Sequence, residues 1–157
     1  LCSVLLFSCS PEEDGIFFAE SDIEITASKV SYSDLETDIL DLVNKHREKL
    51  NLANLSRLNI ISSVADGHTD YMISTGKVNH DNFAERAQAL TENANAKSVG
   101  ENIAYGYGTA QGVVNGWLNS PEHKKIIEDP DYTHFGISTD ADSDGRNYFT
   151  HIFIEQE

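Results

Sequence analysis

Two imidazoles and one carboxylate stand out as residues able to do chemistry together: His80, Glu101 and His123. His80 lies in Val78-Asn79-His80-Asp81, just past Gly76 and Lys77. His123 follows Ser120-Pro121-Glu122, which puts it at the third position of a helical first turn. The positive end of a helix dipole there disfavours imidazolium. A neutral imidazole is the form that a metal or a proton abstraction needs. Glu101 stands in Gly100-Glu101-Asn102-Ile103-Ala104, a carboxylate in an otherwise apolar strand. If the three converge they match an open zinc site, with Glu101 as ligand or as base for metal-bound water. Their separations, 21 and then 22 residues, show no local metal spacing, so only the fold can bring them together.

Other patterns invite chemistry and have simpler explanations. Asp140-x-Asp142-x-Asp144-Gly145 matches the start of a calcium-binding loop. Its twelfth position is His151 rather than Glu and its flanks read as strands, so an acidic hairpin turn is favoured and calcium is the testable alternative. Ser120-x-x-His123 offers a hydroxyl near an imidazole, but a helix-cap role takes that hydroxyl out of play. His68 shares a helical stripe with Ile61 and Met72 and reads as a hydrogen-bonded core histidine; His46 is similar, and His134 reads as a loop residue.

Composition removes whole classes. Only 11 Lys and Arg face 26 Asp and Glu, a formal charge of −15. Nucleic-acid binding and adhesion to anionic lipid both rely on basic clusters, so neither is expected. Cys2 and Cys9 are the two cysteines, which excludes disulfides, cysteine zinc sites and cysteine nucleophiles in the body. At 39% apolar and 9% aromatic, 157 residues suffice for one core.

The elements that must position these residues are legible. Residues 1–9 read as the remnant of a lipoprotein signal peptide, since Leu6-Phe7-Ser8-Cys9 resembles a bacterial lipobox in which Cys9 becomes lipidated. Residues 10–31, with six acids and one Lys, form an acidic tether with a short strand expected over 23–26. The body, residues 32–157, carries 20 acids and 10 bases. Ser33-Asp34-Leu35-Glu36 is a capping box for a helix running to about Leu50. Ser56 is placed to cap a second helix, closed by Gly76. A short helix follows over 82–90, a strand over 101–108 and a helix over 109–118. Ser120-Pro121 starts another helical turn, and strands over 135–139 and 148–155 form a hairpin. Helices come first and strands gather late, which predicts an α+β sandwich around a mostly antiparallel sheet.

Seven pieces in order resemble one family. They are Val43-Asn44-Lys45-His46-Arg47; Ala65-x-x-His68-Thr69-Asp70-x-Met72; His80; Arg86; Gly100-Glu101-Asn102-Ile103-Ala104; Trp117-x-x-Ser120-Pro121-x-His123; and Phe135-Gly136 with Tyr148-Phe149-Thr150-x-x-Phe153. Over roughly Leu35 to Phe153 the chain resembles a bacterial member of the CAP superfamily of cysteine-rich secretory, antigen 5 and pathogenesis-related proteins. The resemblance implies a three-layer α-β-α sandwich with a surface cavity lined by two His and two Glu. His80, Glu101 and His123 fall on three of those positions. The fourth, a Glu near Asn119 or Ser120, is absent here. Asn102 and His151 are candidates to join the cavity; His151 stands where relatives usually carry Gln, and a strand histidine packed under a helix is the favoured reading of it.

The expected protein is therefore an extracytoplasmic, lipid-anchored monomer of a bacterium. Its cavity would hold Zn2+, another divalent metal or a small ligand or envelope component. Two alternatives stand beside it: a metal-dependent hydrolase using the same cluster, and a surface interaction protein with no active cavity. Membrane contact would run only through the lipid.

Overall fold

Ser33 accepts a hydrogen bond from the Glu36 amide, and the Glu36 carboxylate accepts one from the Ser33 amide. This capping box opens α1, Asp34–Lys49, whose apolar stripe Ile39, Leu40 and Val43 is buried. The computed structural model describes residues 31–156. Cys9, residues 10–30 of the acidic tether and the strand expected over 23–26 lie outside the described residues.

After α1 come β1 (Ser56–Arg57), α2 (Asn59–Thr75), α3 (Phe83–Ala94), β2 (Ala96–Tyr105), α4 (Ala110–Leu118), α5 (Pro121–Ile127), β3 (His134–Ala141) and β4 (Asn147–Gln156). The strands form one sheet in the order β1-β3-β4-β2, with β1 parallel to β3 and the other pairs antiparallel. Helices α1, α4 and α5 cover one face, packing on Phe135, Ile137, Phe149 and Phe153. Helices α2 and α3 cover the other, against Ile152 and Ile154. The α-β-α sandwich expected from the sequence is the fold.

Local details depart from the sequence expectation for tertiary reasons. Ser56 does not cap α2: its amide donates to the Thr133 carbonyl, and Leu58 donates to Phe135, so this segment joins β3 instead. The N-cap of α2 is Leu58, which has no side-chain cap. Helix α3 runs on to Ala94, where Asn95 stops it in the left-handed region at φ 51. Strand β2 begins at Ala96, before Glu101, because β4 continues to Gln156 and supplies partners that far. His134 opens β3 rather than sitting in a loop, since β1 pairs with it directly. Gly136 allows α2 to approach the sheet: a Cβ there would lie 2.5 Å from the Ser62 amide nitrogen.

Candidate functional site

Successive residues of a strand point to opposite faces, so β2 presents Glu101 toward α2 and α3 and Asn102 toward α4 and α5. Glu101 is buried to 0% side-chain exposure and is met there by Arg86 of α3. The guanidinium binds it as a fork, with Nε donating to Oε2 at 2.8 Å and Nη2 donating to Oε1 at 2.7 Å. His80 lies between α2 and α3, 49% exposed, with its Nδ1 2.8 Å from Glu101 Oε1. Burial alone would raise the Glu101 carboxyl. The hydrogen bonds from His80 and Arg86 and the Arg86 charge outweigh it and hold Glu101 below its ordinary value. An ionised carboxylate only accepts, so His80 Nδ1 is the donor, and in the neutral ring it is Nε2 that keeps the lone pair.

The loop bearing His80 is fastened on several sides. His68 Nε2 donates to the Asn79 carbonyl at 2.7 Å, and Arg86 Nη1 donates to the Asp81 carbonyl at 2.6 Å. Tyr71 Oη donates to Asp81 Oδ2 at 2.9 Å while its ring stacks on His68. Burial first, then the nearby Arg86, lowers the His68 pKa, which suits the core histidine expected from its stripe. His123 approaches from α5. Burial lowers its pKa, His80 lowers it further, and Glu122 opposes them. Asn102 Nδ2 donates to the His123 carbonyl at 3.1 Å and ties α5 to the sheet.

This geometry revises several sequence expectations. Among the described residues, no group of three or more His, Cys, Asp or Glu is disposed to hold a metal ion. Both oxygens of Glu101, the carboxylate expected beside His80 and His123 as a third ligand, are engaged by Arg86 and His80. A guanidinium-bound carboxylate held below its ordinary value is also a poor general base. The two imidazoles are near enough for His80 to depress the His123 pKa, and water or a ligand would have to complete the coordination of any ion between them.

Asn102 and His151 do not line the surface site with Glu101. They pair across β2 and β4 on the opposite face and are 0% exposed. Asp140, Asp142 and Asp144 are engaged within the hairpin turn by backbone amides and Arg146. Asp142 Oδ1 accepts from the Asp144 and Arg146 amides, and the Arg146 guanidinium bonds Asp144. Ser120 stands at the N-cap of α5 but makes no capping hydrogen bond. His46 bonds Glu128 at 2.8 Å where α1 meets the end of α5. The residue whose role the sequence reading missed is Arg86. Its signal was a cation on the buried stripe that α3 shares with Ala89 and Leu90.

Known proteins share this fold. The model of the cysteine-rich secretory protein family, CAP, matches residues 40–153. The uncharacterised membrane protein YlbC of Bacillus subtilis (strain 168) is 36% identical over 124 residues, 77% of this chain and 34% of YlbC. The chain thus spans about a third of that curated relative. Among solved structures, an extracellular protein with an SCP domain from Bacillus anthracis str. Ames is 28% identical, with a TM-score of 0.67 over 77% of this chain and 40% of that one. An outer surface protein from Borrelia burgdorferi superposes with a TM-score of 0.70 at 23% identity, over 80% of this chain and 97% of that one; it shares the fold. No helix among the described residues is long and apolar enough to cross a membrane.

Proposed function

This chain belongs to the CAP family of cysteine-rich secretory proteins, and on that premise we propose that it is an extracytoplasmic binding module. Its His80 and His123 imidazoles hold a divalent metal, zinc by donor chemistry, or the polar end of a small ligand. One observation carries this reading: Glu101 Oε1 accepts from His80 Nδ1 at 2.8 Å and leaves the Nε2 lone pair fixed for a ligand. A carboxylate behind a ligating histidine sets its tautomer and raises its basicity. Glu101 thereby acts through His80 rather than on the ligand, and Arg86 keeps Glu101 ionised. Neutral His123 supplies the second nitrogen. A bound zinc ion would supply an anchoring charge for an anionic or carbonyl-bearing ligand.

The extracytoplasmic address rests on the likeness to the Bacillus anthracis extracellular protein and on the lipobox-like Leu6-Phe7-Ser8-Cys9. Cys9 is the lipid attachment point in this reading, and the lipid supplies the membrane contact. A metal-dependent hydrolase built on Glu101 draws no support from the geometry, since its carboxylate is locked in the Arg86 fork.

Calorimetric zinc titration of the full chain tests the reading against His80→Ala and His123→Ala. The wild type is expected to bind one zinc near neutral pH, with each variant losing at least about tenfold in affinity. Wild type and variants taking up equally little zinc would overturn the metal assignment and leave the small-ligand and surface-interaction readings.

A further inference from the structure

His151 is 0% exposed, and neither of its ring nitrogens has a partner among the described residues. Rings enclose it: Phe153 at 4.2 Å between centroids, Trp117 at 5.4 Å and Phe135 at 5.5 Å. Directly opposite in the β2–β4 register stands Asn102, also 0% exposed, whose Oδ1 has no partner either. Three orphan polar atoms on two facing residues of one sheet face are not a coincidence that a core tolerates cheaply. Side chains so paired start about 5 Å apart at Cβ, which leaves room for a bridging atom where no direct bond forms. The other end of the Asn102 amide is committed, since Nδ2 donates to the His123 carbonyl at 3.1 Å.

We propose that His151 and Asn102 form an internal relay, closed by buried water, that fixes the position of His123; the relay rests on the binding role of His123 given above. A neutral imidazole offers one donor and one acceptor, and Asn102 Oδ1 offers an acceptor, so a water between them has the two or more polar partners it needs. With Oδ1 anchored, the Asn102 amide cannot rotate, and its Nδ2 stays aimed at the first turn of α5. The site therefore has a positioning residue on each sheet face. Glu101 orients His80 from one, and Asn102 with His151 orients His123 from the other. Burial among rings keeps His151 neutral, which is the form the relay requires.

Nuclear magnetic resonance of the full chain decides it, with His151→Phe and His151→Gln beside the wild type. The wild type is expected to show a slowly exchanging His151 ring N–H with cross-peaks to a bound water. His151→Phe fills the ring cage but removes the relay. It should shift the His123 ring and Asn102 side-chain amide signals, leave those of His46 unmoved and weaken zinc binding by about tenfold. His151→Gln keeps a polar end and should restore the His123 signals. Absence of the water cross-peak in the wild type overturns the relay, whether or not His151→Phe folds. So do His123 signals unchanged in His151→Phe. A wild type that binds no zinc overturns the metal reading alone, because the His123 and water signals still judge the relay.

Discussion

Arg86 grips Glu101 with two parallel hydrogen bonds, Nε to Oε2 at 2.8 Å and Nη2 to Oε1 at 2.7 Å, with both side chains almost wholly out of water. Removing one member of such a pair leaves an uncompensated buried charge. Arg86→Met is therefore expected to lower stability by about 3–5 kcal/mol, read as a drop in the urea midpoint. Arg86→Lys should recover little, because an ammonium cannot reproduce the fork.

His151 gives stability a defined pH dependence. Burial takes its pKa from an ordinary 6.5 to about 3, so between those values the unfolded chain binds a proton that the native state refuses. Its contribution is fully present above about pH 6.5 and is lost as pH falls, by up to about 1.4 kcal/mol per pH unit, down to about pH 3. Urea midpoints measured across this range should fall more gently in His151→Phe than in the wild type. Parallel curves would contradict the assignment.

Two glycines separate a rigid clash from a yielding one. An added Cβ at Gly136 would lie 2.5 Å from the Ser62 amide nitrogen and 2.7 Å from Ile61 Cβ, both in α2, which packs on the sheet. One at Gly116 would meet the hydroxyl end of Tyr107, a side chain 38% exposed and able to swing away. Gly136→Ala should cost about 1–3 kcal/mol or more, and Gly116→Ala clearly less. Thermal melts of the two variants give the order directly.

The acidic hairpin is predicted to be held by its own turn rather than by calcium. Asp142 Oδ1 accepts from the Asp144 amide at 3.0 Å and the Arg146 amide at 2.9 Å, two bonds that hold the turn by themselves. Millimolar calcium should leave the melting temperature unmoved. Asp142→Ala should lower stability by about 1 kcal/mol.

Local and periodic features could be read without the fold. The Ser33–Glu36 capping box, the left-handed Gly76 stop and the Pro121 start are decided within one turn of chain, and all three stand where the residues place them. The α+β order and the helical stripes followed from the 3.6 and 2.0 periods. Boundaries failed where a distant partner decided them. Ser56 is drawn into β1 by Thr133, and β2 starts early because β4 extends to Gln156.

The candidate site divides along the same line. The chain alone offered His80, Glu101 and His123 as candidates, an acid in an apolar strand and two histidines, and the resemblance to the CAP superfamily tied the three together. Tertiary structure decided their roles. It set Arg86 against Glu101 from 15 residues away and brought His80 onto the same carboxylate. It also sent the neighbour of Glu101, Asn102, to the opposite face, where it pairs with His151. The physical reason is range: residue type and period are carried by neighbours in sequence, whereas a buried charge takes its meaning from whichever partner the packed fold brings to within about 3 Å.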